Sequence, residues 1–228
     1  MNVSCPWDDE SKFDLSAKTS HLTNMQVFHS YNPKEGHLLP HDPIKSIVAP
    51  RPIGWISTVD LDGNVNLAPY SFFNLVNSKP PMVMFSSEGR KDTLQNVEAT
   101  NEFCINLATY ELADQMAQTG IEVTRYVDEM ASANLKPIPS TSIRSPRIAE
   151  SPASLECRVV GIQQLEELSG GKLNTYMVIG QIVMVHINKR YLREGYYDLA
   201  ATKTIARAGY LDDYVLADAT IKLPPLKQ

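Results

Sequence analysis

Two long apolar runs, Leu155 to Leu168 and Leu173 to Ile187, dominate the hydrophobic pattern, and the Ser169-Gly170-Gly171-Lys172 turn sequence between them predicts a long β-hairpin. In the second run Met177, Ile179, Val183, Val185 and Ile187 alternate onto one face, and Tyr176, Val178, Ile182, Met184 and His186 onto the other. Both faces are apolar. That predicts a strand buried on both sides, as in a barrel wall at a subunit interface.

Earlier in the chain, Ile53 to Val59 and Val65 to Ser71 are apolar or β-branched runs flanking Asp62-Gly63, which predicts another hairpin. Met82 to Ser86 and Phe103 to Leu107 read as short strands on either side of a helix over Thr93 to Thr100. Asp92 is expected to cap that helix, with Gln95 completing a capping box and Leu94 and Val97 facing the core. Further helices are expected from Glu111 to Gln118 and around Val123 to Ala131. Pro137, Pro139, Pro146 and Pro152 mark the next stretch as an irregular connector. Residues 1–24 are polar and without periodicity and read as a loose extension, leaving residues 25–228 as a single folded domain.

Composition narrows the classes of function. The chain has 228 residues, 43% of them hydrophobic, enough to build a substantial core. A net charge of −5 gives no general attraction to nucleic acid or to an anionic membrane, so any phosphate recognition has to be local. Cys5, Cys104 and Cys157 are widely spaced, which suits a reducing, cytoplasmic setting better than a disulfide framework or zinc site. Neither a signal-peptide pattern nor a membrane-length apolar run is present. Dinucleotide-fold, P-loop, nucleophile-elbow and zinc-protease motifs are likewise missing.

Candidate chemistry gathers between residues 50 and 93. Ser86, Ser87, Arg90, Lys91 and Thr93 cluster at a strand-to-helix turn, where hydroxyls, cations and helix N–H groups could receive a phosphate. A solvated, capped turn has the same sequence, and Asp92 opposes a phosphate unless it faces the helix N–H groups. Tyr70-Ser71-Phe72-Phe73-Asn74 sets a hydroxyl and an amide among rings that could hold a planar ligand or simply fill the core. Ser57 and Thr58 interrupt an apolar strand, and alternation lets one of them face a ligand. His186 reads as a satisfied core histidine. His37 and His41 are separated by Pro40 and make no helical metal pair, and Cys104 and Cys157 read as small buried hydrophobes. No metal site is expected.

Three blocks, Arg51-Pro52-Ile53-Gly54-Trp55-Ile56-Ser57-Thr58, Asn66-Leu67-Ala68-Pro69-Tyr70-Ser71-Phe72-Phe73-Asn74 and Gly89-Arg90-Lys91-Asp92-Thr93, resemble the flavin reductase-like family of FMN-binding split-barrel proteins. Fainter echoes lie in Leu155-Glu156-Cys157, in Val178 to His186 and in Ile205-Ala206-Arg207. The resemblance spans about residues 25–215. It implies a mainly β fold with flanking helices, a Greek-key split β-barrel, and a homodimer with FMN near the subunit interface. It places Ser71, Arg90, Lys91 and Thr93 on the phosphate and Ser57, Thr58, Ala68 and Tyr70 along the isoalloxazine. Trp55, Ile56, Pro69, Phe72, Asn74, Ser86 and Ser87 complete the implied cofactor site, and His186 and Arg207 stand on the nicotinamide or acceptor side. The implied activity is NADH or NADPH oxidation through flavin, with electrons passed to a free flavin, a metal chelate or a partner oxygenase. The alternative is a flavoredoxin-like FMN electron carrier that does not oxidise NAD(P)H itself.

Overall fold

The computed structural model describes residues 27–224, so the expected extension over residues 1–24 lies outside the described residues. The chain divides at Pro40 into two compact units. In the first, a turn closes where the Glu35 N–H donates to the Asn32 carbonyl, and His29 Nε2 lies 2.8 Å from the His37 carbonyl oxygen.

The second unit is mostly β. After a one-turn helix α1 (Ile44–Ile47), strand β1 (Arg51–Pro52) leads into β2 (Gly54–Val59) and β3 (Val65–Tyr70). Their hairpin turn is the expected one, with the Asp60 carboxylate accepting the N–H groups of Asp62 and Asn64. Strands β4 (Phe73–Ser78) and β5 (Pro81–Glu88), helix α2 (Asp92–Thr100) and strand β6 (Glu102–Leu107) follow. Helices α3 (Ala113–Gln118) and α4 (Glu129–Ser132) precede the proline-rich connector, where β7 (Pro137–Ile138) pairs with β8 (Arg147–Ile148). The long hairpin is β9 (Ala153–Glu166) with β10 (Lys172–Ile187). Strands β11 (Leu192–Arg193) and β12 (Tyr196–Tyr197), helix α5 (Leu199–Thr202), and strands β13 (Thr204–Arg207) and β14 (Tyr214–Ala217) complete the unit.

Seven strands form one antiparallel sheet in the order β3-β2-β6-β9-β10-β5-β4, and β1, β13 and β14 form a second sheet. Only Ser71 and Phe72 join β3 to β4, which are the opposite edges of the seven. Laid flat, those edges would stand about 29 Å apart, whereas so short a link spans roughly 10 Å. The sheet therefore curls until its edges meet. The Ser86 N–H donates to the Phe72 carbonyl at 2.8 Å, extending the β4–β5 ladder into the link, and across the seam a Cβ placed on Gly54 of β2 would lie 2.9 Å from the Phe73 ring of β4.

Strand β2 is buried along its whole length because its alternating side chains feed two cores. Trp55 packs with Leu67, Met116, Met130 and Ile205, while Ile56 packs with Phe85, Leu94, Val97 and Phe103. Both expected core residues of α2, Leu94 and Val97, are fully buried. The capping box does not form. Lys91 occupies the cap position, Asp92 is the first helical residue, and Gln95 Nε2 donates instead to the Arg90 carbonyl. The helix expected around Val123 to Ala131 is only the single turn of α4, started by the Asp128 carboxylate accepting the Ala131 N–H.

Strand β10 departs from simple alternation. Ile182 pairs with Cys157 but Met184 pairs with Glu156, so a bulge at Val183 sends Met184 and His186 to the face opposite Ile182. Tyr176, Val178 and Ile182 pack into the barrel core, but Met177 and Ile179 on the other face are only half-buried. Among the described residues the strand packs against a hydrophobic core on one face alone.

Two buried carboxylates hold the proline-rich connector in place. Glu102 accepts the Arg144 N–H at 2.7 Å. Glu156 accepts the N–H groups of Thr141 at 2.7 Å and Ser142 at 2.6 Å, and its Oε1 lies 2.6 Å from His186 Nε2. Burial alone would push the Glu156 carboxyl up, but these donors together hold it below the ordinary carboxylate value.

Two outcomes are expected. Gly54→Ala should lower unfolding free energy by about 1–3 kcal/mol through overpacking against Phe73, and by measurably less in a Phe73→Ala background, as read by urea denaturation. Glu156→Gln should cost about 1–3 kcal/mol at neutral pH through weakened buried hydrogen bonds. Because the folded carboxyl titrates below its unfolded value, its contribution is present above the unfolded value and lost as pH falls through the folded one. The variant should therefore show a flatter acid limb in a plot of stability against pH.

Candidate functional site

The barrel seam opens into a cavity of about 680 Å³, a volume typical of small-molecule sites. One wall is β3 and the link after it, contributing Asn66, Ala68, Pro69, Tyr70, Ser71 and Phe72. The opposite wall is the end of β5 and the start of α2, with Ser86, Arg90, Lys91, Asp92 and Thr93. The short link that closes the barrel thus brings two distant sequence blocks face to face.

At the α2 end, Asn66 Nδ2 donates to Thr93 Oγ1 at 2.8 Å, fixing both side chains. The first N–H groups of α2 have no intrahelical carbonyl to donate to, and Lys91 at the cap position makes no ion pair among the described residues. Asp92, which would repel an anion here, is taken up by Arg125 at 3.2 Å, and Arg125 also donates to Gln95 Oε1 at 2.6 Å. Arg90 lines the cavity but turns its guanidinium to Glu98 and stacks 5.6 Å from the Tyr176 ring centroid. The Tyr70 hydroxyl is buried beside Thr93 and Ser87 yet makes no hydrogen bond among the described residues, and burial pushes its pKa up, keeping the phenol protonated. Glu129, beneath the same wall, accepts the Leu67 N–H at 3.0 Å, and burial pushes its carboxyl up.

Free helix N–H groups, an unpaired lysine, a buried threonine hydroxyl and an unpartnered phenol suit a phosphate joined to a polar ring system. The residues present therefore fit a flavin mononucleotide.

Of the sequence-expected residues, Ala68, Pro69, Tyr70, Ser71, Phe72, Ser86, Arg90, Lys91, Thr93 and Arg207 line this one cavity. Others stand elsewhere. Trp55 is fully buried, with Nε1 donating to Thr119 Oγ1 at 2.9 Å, and Ile56 belongs to the second core. Ser57 Oγ donates to the Pro146 carbonyl at 2.5 Å, tying the connector to β2. Thr58 sits one layer behind the wall, where its Oγ1 accepts Asn96 Nδ2 at 3.1 Å. Ser87 is buried and donates to the Gly89 carbonyl, while Asn74 is exposed and accepts the Leu75 N–H. The bulge at Val183 turns His186 to Glu156 and to a separate cavity beside Arg147 and Ser154, away from Arg207. Lys45, Arg51, Asn66, Arg125 and the Thr119–Val123 segment also line the main cavity. Arg51 and Asn66 were visible inside the recognisable blocks; Lys45 and Arg125 carried no local signal. Among the described residues no cluster of side chains suits a metal ion.

The sequence profile of the flavin reductase like domain matches residues 48–202. A protein of Aquifex aeolicus is 35% identical over 156 residues, covering 66% of this chain and 76% of its own. The crystal structure of nitrilotriacetate monooxygenase component B from Bacillus cereus superposes with a TM-score of 0.78 at 25% identity, over 87% of this chain and all of that one. A protein of Shewanella frigidimarina with a split barrel domain superposes with a TM-score of 0.71 at 27% identity, over 80% of this chain and 89% of that one. The fold is a split β-barrel.

Proposed function

Since this chain belongs to the flavin reductase-like family, we propose that it binds FMN in the seam cavity and passes electrons from NADH or NADPH to an acceptor. The acceptor is a free flavin, a metal chelate or a partner oxygenase, the last in keeping with the monooxygenase component among its structural neighbours. The observation that carries this reading is the juxtaposition, in one cavity, of the α2 N-terminus, Lys91 and Thr93 with the ring-bearing wall from Ala68 to Phe72.

When bound, FMN supplies the redox chemistry, taking a hydride from a dihydronicotinamide and releasing electrons to the acceptor. The chain's own residues bind and orient. Lys91, the Thr93 hydroxyl and the first N–H groups of α2 hold the phosphate, and Arg125 offsets Asp92 so that the helix end stays positive. Asn66 holds the Thr93 hydroxyl in place, and Tyr70 offers its neutral hydroxyl as a donor. Phe72, 37% exposed at the rim, shields the ring side from water.

A second copy of the chain would cover the half-buried face of β10, where Met177 and Ile179 lie, and the exposed Leu75 and Val76 of β4. That supports a homodimer, testable by light scattering. Residues 25–228 act in this reading as one flavin-binding domain. Three widely spaced cysteines and the lack of a helix long and apolar enough to cross a membrane among the described residues agree with a cytoplasmic location.

Purified protein reconstituted with FMN should show flavin absorption that bleaches on anaerobic addition of NADH or NADPH. Flavin that is bleached by dithionite but not by either nucleotide would make the protein an electron carrier, and failure to take up FMN would refute the reading. Lys91→Ala should weaken FMN binding by roughly tenfold or more, the size of a lost charge-assisted hydrogen bond, as measured by flavin fluorescence titration.

A further inference from the structure

The end of the cavity away from α2 carries charge that the phosphate does not need. Asn66, bonded to Thr93, and Tyr70 sit about 13 Å apart along β3. Tyr70 pairs with Gly54, so the register carries Arg51 beyond the Tyr70 end. There Arg51 of β1 pairs directly with Arg207 of β13, and Lys45 stands beside them with Nζ 6.0 Å from the Phe72 ring centroid. All three line the cavity, and none makes an ion pair among the described residues.

Like charges directly opposed on neighbouring strands repel, and this pair is confined. Arg51 is only 8% exposed. Its Nη1 donates to the Lys45 and Val48 carbonyls at the end of α1, which fixes the guanidinium, yet its buried Nε has no acceptor among the described residues. Arg207 is held by stacking, 4.7 Å from the Tyr214 ring centroid. A buried donor without an acceptor costs stability, and two fixed guanidiniums without a counter-charge are arranged for an anion that arrives from outside.

We propose that Arg51 and Arg207, with Lys45 at the rim, form an oxyanion subsite that holds a carboxylate or phosphate of the second substrate against the flavin. The inference rests on the flavin reading, which fills the α2 end of the same cavity. The oxyanion has two sources: a phosphate of the dinucleotide donor, or the acid group of an anionic acceptor. Arg51 and Arg207 bind it; Lys45 adds long-range attraction and tunes the rate of arrival.

The test compares wild type with Arg207→Gln, Arg207→Lys and Lys45→Gln, each reconstituted with FMN. Benzoate and its neutral isostere benzamide are titrated against the flavin absorption, and anaerobic bleaching by NADH is compared with bleaching by the phosphate-free donor N-benzyldihydronicotinamide. Arg207→Gln should weaken the anionic ligand of a pair by roughly tenfold or more, leave its neutral counterpart within about twofold, and be partly rescued by lysine. Loss confined to benzoate identifies an acidic acceptor, and loss confined to NADH identifies the donor's phosphates. If FMN stays bound and neither anion is affected by any variant, the subsite is refuted while the flavin reading stands. If wild type takes up no FMN, the flavin reading fails, and calorimetry of benzoate and pyrophosphate on flavin-free wild type and Arg207→Gln decides the subsite alone.

Discussion

Two residues between Tyr70 and Phe73 oblige the two edges of a seven-stranded sheet to meet, and the closure they impose is incomplete. Among the described residues no ladder joins β3 to β4, and the close contact across the seam is Gly54 of β2 against the Phe73 ring of β4. A full barrel would satisfy its edge groups internally and leave no room between them. Here the gap is where β3, the link and the end of β5 each present backbone and small polar side chains to a common space. Closure also draws β2 inward, so that Gly54 faces the Phe73 ring with no room for a Cβ and Trp55 and Ile56 serve separate cores. The cavity and both cores follow from one short connection.

The charges around the cavity are sorted between structure and ligand. A protein with a net charge of −5 concentrates Lys45, Arg51, Arg90, Lys91, Arg125 and Arg207 on one cavity. Arg90 and Arg125 have carboxylate partners, and the remaining four have none among the described residues. Glu88, Asp92, Glu122 and Glu129 line the same cavity, so it is mixed in sign with cations in excess, and a local excess of one sign can attract an anion although the whole chain is acidic. Away from the cavity the buried charges are structural. Glu102 and Glu156 spend their carboxylates on backbone N–H groups of a connector whose prolines limit its own hydrogen bonding.

Strands and hairpins were legible in the sequence because local alternation and turn residues encode them: Asp62-Gly63 and Ser169 to Lys172 mark turns that the structure contains. The walls of the cavity were legible as motifs for the same local reason. What escaped depended on register or on distant partners. The bulge at Val183 leaves no mark on an apolar run, yet it reverses the face of every later residue and so moves His186 to Glu156. Asp92 and Gln95 matched a capping box in spacing, but Arg125, thirty-three positions away from Asp92, claims both side chains. Ser57 looked available to a ligand because its partner, the Pro146 carbonyl, lies 89 positions along the chain.

Arg90 shows how the apparent conflict between its motif and its geometry resolves. Its guanidinium is occupied by Glu98 and rests on Tyr176, turned away from an anion at α2. Both contacts are at the surface, however, with the arginine side chain 52% exposed. Exposed pairs of this kind contribute little to stability, whereas a phosphate offers several acceptor oxygens and bidentate geometry to a guanidinium already close by. The Glu98 contact is therefore weak enough to exchange, and it keeps Arg90 extended along the cavity wall in the meantime. In the proposed flavin site Lys91 and Thr93, which need no partner exchange, would set the position of the phosphate, and Arg90 would close over it afterwards.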